Sequence, residues 1–287
     1  IGHASTGATI NNGGVGGLEV DKLSRDAVMH HLTDGMLGKV ISDARPLVGV
    51  TLKNILCDSW ERGYGNWTPF LPEEFEKRRG YSLDPWLPAL TGRMVESSEA
   101  SERFLWDFRR TLGDLLADNY YGSLQQYARD NHLGVYAEAT GHFLPGLADQ
   151  LQCKGRIDVP MGEFWSGRRD VDDAKEAASA AHIYGKRLAA AESFTARTDS
   201  ASWTRDPFML KGEGDLRFCM GINRLCFHRF AHQPWSDRRP GMTMGKWGTE
   251  LERTNTWWEM AGPWVKYLTR CQYLLQRGTF VAGHDAR

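Results

Sequence analysis

The chain has 287 residues, of which 41% are hydrophobic and 25% charged, with a formal charge of −1. This composition can fill a large core, yet it offers neither the basic surface that nucleic acid demands nor a polybasic stretch for anionic lipid. No run approaches the roughly 18 consecutive apolar residues of a membrane span and no charged-then-apolar leader opens the chain, so the expected substrate is neutral or mixed, with no nucleic-acid and no membrane partner.

Residues 1–17 are rich in glycine and read as a loop inside a longer protein, so the chain is expected to be a fragment. Leu18 to about Val40 has helical periodicity, and Leu47 to Leu56 reads as the first strand. After a loop bearing Trp60 and Trp67, Glu73 to Arg79 suits a short helix, and Pro85, Pro88 and Gly92 break the chain. Ser98 then caps a long helix, with Phe104, Phe108, Leu112 and Leu115 at helical spacing, running to about Asn131.

Further along, Gly134–Ala137 is strand-like, 157–164 is a strand, and Asp170–Lys186 a helix with three aspartates at its positive end. Leu188–Ala191 and Leu216–Asn223 read as strands, and Thr256–Gln276 as an amphipathic helix that Pro263 kinks. Strand alternates with helix and no Asn-Gly hairpin intervenes, which favours parallel βα units; five or six are counted, where a complete barrel has eight. The expected fold is therefore α/β, a (β/α)8 TIM-type barrel truncated at its N-terminal strands, with 1–287 a single partial catalytic domain. An open dinucleotide-binding sheet lacks its GxGxxG turn.

Four apolar runs end on a glutamate: Glu61, Glu138, Glu163 and Glu192. Carboxylates at the carboxyl ends of successive parallel strands are how a barrel assembles an active site from distant segments. Glu61 follows Trp60, and a carboxyl desolvated beside an indole holds its proton and can act as a general acid; an ion pair with Arg62 or Arg78 is the plain structural alternative. Glu192 closes so apolar a run that it needs a partner: a cation such as Lys186, Arg187 or Arg197, a metal, or a catalytic water network. Glu163 lies between a strand and an aromatic pair, and Glu138 beside a turn containing His142.

Asn223 and Arg224 read as strand-end donors to sugar hydroxyls. His228 and His232, four apart, share a face if helical, though without an HExxH motif two core or surface histidines account for them as well. Eleven tryptophans, Trp165 and Trp235 among them, offer flat faces for sugar rings or fill the core. Five scattered cysteines form no close pair and are expected as free thiols.

The segments DSWERGYGNWTPFLPEEFEKRRGY, VPMGEFW, AAESFT, FCMGINRLCFHRFAHQPW and WGTELERTNTWW, spread over nearly the whole chain, make it resemble the glycoside hydrolase family 106 α-L-rhamnosidases. The resemblance implies a calcium-assisted inverting hydrolase acting on a rhamnose-containing glycan or glycoside, in a periplasmic or secreted setting. By motif it assigns Glu61 as the acid and Glu192 as the base, with Glu163 a calcium or substrate ligand; the last two roles are exchangeable. Asp58 and Glu138 join Glu163 as candidate calcium ligands, and Trp60, Trp67, Glu138, His142, Trp165, Asn223, Arg224, His228 and Trp235 as sugar contacts. Inversion implies catalytic carboxyls roughly 6.5–9.5 Å apart. The other readings are a non-catalytic carbohydrate-binding fragment and a retaining barrel glycosidase, with carboxyls only about 5 Å apart.

Overall fold

The computed structural model describes residues 3–4, 18–60, 65–139, 147–168, 171–197, 203–239, 241–242 and 247–281. The chain forms two compact units, Ile1–Asp158 and Val159–Arg287.

In the first unit a two-residue ribbon pairs β1 (His3–Ala4) with β2 (Leu18–Glu19). Helices α1 (Arg25–Asp34) and α2 (Met36–Asp43) follow, α1 capped by the Ser24 hydroxyl, which accepts from the Ala27 N–H at 3.3 Å. The strand expected from Leu47 is shorter and later, β3 (Asn54–Cys57). Pro46 and Gly49 bend the chain first: the Leu47 carbonyl accepts from the N–H groups of Val50, Thr51 and Leu52. Helix α3 (Leu71–Arg79) ends on left-handed Gly80.

The long helix is capped one residue before the expected Ser98, by Ser97, which accepts from the Ala100 N–H. It comprises α4 (Ser98–Leu115), a π-helical stretch at Leu116–Tyr121, and α5 (Gly122–Asp130). Its α4 part packs Phe104, Phe108 and Leu112 into one core cluster with Leu71, Phe75 and Leu83. Tyr121, Leu124 and Ala128 join another with Val28, Val135 and Ile157. Strand β4 (Gly134–Ala137) lies parallel to β3, with Cys57 opposite Ala137, and α6 (Gln150–Gly155) follows.

In the second unit β6 (Ala190–Thr195) runs parallel between β5 (Val159–Trp165) and β7 (Arg224–Phe227). The connections are α7 (Asp172–Ile183) and α8 (Pro207–Met220), and α9 (Gly262–Leu275) closes the unit. Two expectations are corrected here. The stretch 216–223 is not a strand: α8 runs through it to left-handed Gly221, and β7 starts only at Arg224. Pro263 does not kink the last helix but lies in its first turn, where its missing N–H has no helical partner to lose.

Alanines let α7 sit close to the sheet: Ala174, Ala177, Ala178 and Ala181 are buried with Phe164, Phe194 and Trp264. At Gly162 an added Cβ would lie 2.3 Å from the Asp173 carbonyl, so only glycine allows this approach of helix backbone to strand. The β5 and β6 register slips between Glu163 and Trp165, opposite which Phe194 adopts a positive φ of 62°. This bulge breaks the two-residue alternation. Phe194 turns into the helix-side core with Ala189 and Ala191, and Glu192 and Thr195 share the other face.

Candidate active site

In the first unit the carboxyl ends of β3 and β4 present two acids at one level. Asp58 follows Cys57 and is exposed; Glu138 follows Ala137 and is only 1% exposed, its N–H donating to the Cys57 carbonyl at 3.1 Å. Their carboxylate oxygens approach within 4.8 Å. The buried Lys154 ammonium donates to the carbonyl of Ala139, next to Glu138, at 3.3 Å. Burial pushes the Cys57 thiol up, against the Tyr120 hydroxyl 3.5 Å away.

Trp60 is 5% exposed and packs edge-on against Tyr120 within the core, with the Lys22 ammonium 5.4 Å from its ring centre. At this burial it belongs to the core cluster that α4 packs, rather than offering an open ring face as expected. Trp67 is nearly half exposed. Glu61 and His142 lie outside the described residues.

In the second unit Glu163 and Glu192 are register partners on β5 and β6, both partly exposed on the face away from α7. Adjacent strands stand about 4.8 Å apart, so the two acids are immediate neighbours. The Thr195 hydroxyl donates to Glu192 Oε1, and His228 Nδ1, just past the end of β7, lies 3.7 Å from the same oxygen. The arrangement can hold one carboxylate ionised, share a proton, or grip a cation.

Trp165, the last residue of β5, meets Trp247 edge-on at 5.6 Å between ring centres. The Arg168 guanidinium lies 5.2 Å from the Trp165 ring centre, and that of Arg197 5.5 Å from the Trp247 ring centre. Trp235 is half exposed beneath Arg238, 5.7 Å away.

Asn223 and Arg224 lie at the amino-terminal edge of the sheet, Arg224 opposite Ala190 two residues before Glu192, because β7 begins rather than ends there. Asn223 is fully engaged in stapling strand entries: its amide accepts from the Ala189 N–H and donates to the Arg187 carbonyl, both at 3.0 Å. His228 lies in a bend just past β7 and His232 in irregular chain, so the shared helical face does not arise.

Sequence reasoning passed over Thr195 and a buried polar group beside His228. Arg229 and Glu250 pair at 2.8 Å, the Asn255 amide donates to the Glu250 carbonyl at 3.0 Å, and Thr249 donates to the Phe194 carbonyl at 2.6 Å. Burial pushes the Glu250 carboxyl up, while Arg229 pulls it back. Acids crowded into GTELER between tryptophans are the signal that marks this group.

The chain matches the family described as alpha-L-rhamnosidase, glycoside hydrolase family 106, over residues 1–284. It is 41% identical over 285 residues to a protein of Formosa agariphila named "Putative beta-glucuronidase", covering 98% of this chain and 24% of that one. A solved structure, the rhamnosidase from Novosphingobium sp. PP1Y, superposes with a TM-score of 0.85 at 41% identity, over 96% of this chain and 26% of that one. The chain thus spans about a quarter of the length of these relatives. With a match along nearly its whole length, it belongs to glycoside hydrolase family 106, the α-L-rhamnosidase family.

Proposed function

We propose that the protein carrying this chain removes terminal α-L-rhamnose from glycans or glycosides by inverting acid/base hydrolysis, and that its parallel βα units are the later part of a β/α barrel. The observation that carries this reading is Glu192, within β6, held by the Thr195 hydroxyl at that strand's carboxyl end and with His228 3.7 Å away.

In this reading Glu192 takes a proton from water as the water oxygen bonds to the anomeric carbon. Glu61, next in sequence to Trp60, gives its proton to the departing glycosidic oxygen as that carbon–oxygen bond breaks. Glu163 contacts calcium or the sugar hydroxyls, and Trp67, Trp165 and Trp235 offer ring faces to sugars. Calcium favours hard oxygen donors, and the paired carboxylates of Asp58 and Glu138, with oxygens within 4.8 Å, suit it. When bound, such an ion orients and polarises sugar hydroxyls.

The test is an aryl α-L-rhamnoside assay with Glu61→Gln and Glu192→Gln, each expected to lose activity by several orders of magnitude. Near-parental rates in both would sink the assignment. An aryl β-glucuronide assayed in parallel separates the activity named for the Formosa agariphila relative.

A retaining mechanism is the second reading, favoured by the adjacency of Glu163 and Glu192 on strands about 4.8 Å apart. Proton NMR of the first-formed anomer decides: inversion yields the β-sugar, retention the α-sugar.

A further inference from the structure

The buried pair Arg229 and Glu250 has no part in the mechanism above, although it lies directly beside residues that do. Their side chains are 4% and 1% exposed. Arg229 Nη2 donates to Glu250 Oε1 at 2.8 Å, and its Nε donates to the Trp247 carbonyl at 3.1 Å. Both acceptors sit on the segment 247–251. The main chain repeats the tie: the Thr249 N–H donates to the His228 carbonyl, the Arg229 N–H to the Thr249 carbonyl and the Leu251 N–H to the Arg229 carbonyl, at 3.0, 3.0 and 3.2 Å.

This tie has two working ends. His228, the neighbour of Arg229, donates its backbone N–H to the Ser193 carbonyl at 3.0 Å and brings its ring to 3.7 Å from Glu192. Trp247, held by the Arg229 guanidinium, sets its ring edge-on to Trp165. A desolvated ion pair is a poor source of stability, since apolar residues of similar volume commonly replace one without loss. Its place beside His228 and Trp247 therefore points to a role other than holding the fold.

We infer that Arg229 and Glu250 are positioning residues that fix His228 against Glu192 and Trp247 against Trp165. The inference rests on the glycosidase reading of Glu192. The double variant Arg229→Met with Glu250→Leu, made in the protein that carries this chain, removes both charges and keeps the volume.

Its thermal midpoint is expected to stay at or above the parent's while kcat falls about ten- to a hundredfold, more than KM rises, as a misplaced catalytic group requires. The ring 13Cε1–1H NMR signal of His228, assigned with His228→Gln, is expected to move. An unmoved imidazole signal overturns the inference, and so does an unchanged kcat. Should the double variant fail to fold, Glu250→Gln, which preserves shape and one hydrogen bond, is read by the same two measurements. A parent protein inactive on both the rhamnoside and the glucuronide refutes the glycosidase reading alone, because the imidazole signal still decides whether the pair positions His228.

Discussion

Replacing Gly162 by alanine tests how tightly the strand carrying Glu163 is bound to the helix behind it. The new Cβ would meet the Asp173 carbonyl oxygen at 2.3 Å and its carbon at 2.6 Å, where ordinary contact starts near 3.4 Å. Both atoms are backbone, so no side chain can swing aside, and α7 must retreat by about 1 Å. Retreat of that size forfeits a quarter to a half of each dispersion contact it opens.

The five alanines that α7 buries have no longer side chain with which to refill the gap. Overpacking and loosened contacts together give about 2–4 kcal/mol of destabilisation. At roughly 2–4 °C per kcal/mol for a chain of this size, the thermal midpoint followed by circular dichroism should fall by about 5–15 °C. Gly212→Ala is the control: it lies within α8 with nothing within 4 Å of its added Cβ, and should gain about 0.5–1 kcal/mol. A Gly162→Ala midpoint within about 1 °C of the parent, or a Gly212→Ala variant as damaged, would refute the reasoning.

Burial pushes the Cys153 thiol up to about 12, so above its ordinary value near 9.0 the unfolded chain loses a proton that the folded chain keeps. Stability should be intact below that window and fall as pH rises through it, by up to about 1.4 kcal/mol per pH unit; urea midpoints of Cys153→Ala should show a flatter alkaline limb. His182 behaves in the opposite sense. Burial and then Lys175 lower its pKa while its ring stacks on Phe280 at 3.6 Å, so its contribution is present above the ordinary value of 6.5 and lost as pH falls below it. The acid limb of the melting profile should flatten in His182→Gln. On the proposed calcium-assisted reading, chelation of calcium should lower hydrolysis of an aryl rhamnoside, and Asp58→Asn should raise the calcium concentration needed to restore it, as a titration of rate against free calcium would show.

The elements legible in the sequence are those whose pattern has one physical source. β4, β5 and α7 lie close to their expected places because apolar runs and helical spacing there report burial directly. The stretch 216–223 misleads for the reverse reason: its apolar residues Leu216, Phe218, Met220 and Ile222 alternate as in a strand, yet α8 runs through Met220 and packs Gly214, whose would-be Cβ lies 3.2 Å from the Phe194 ring. That misreading moved Asn223 and Arg224 to the wrong end of β7.

Of the candidate site, the adjacency of Glu163 and Glu192 is a register fact that strand order alone does not contain. Trp60 shows the limit of composition: a tryptophan beside a candidate acid can just as well be core, and this one is. Glu250 escaped notice because a buried acid paired with an arginine 21 residues away leaves no periodic trace.

The π-helical stretch between α4 and α5 bears on how this protein can change length. A π turn holds one more residue than an α turn, so everything beyond it is rotated by about 100° from where a uniform α-helix would put it. That rotation lets one helix deliver Phe104 and Phe108 to one cluster and Leu124 and Ala128 to another. Loss of a single residue between Leu116 and Tyr121 would restore regular winding and leave α5 facing its core, whereas the same loss within α4 or α5 would turn the segments on either side by about 100° relative to each other. The surplus residue is therefore spare length: along this stretch the helix can shorten by one residue without turning either core-facing side away.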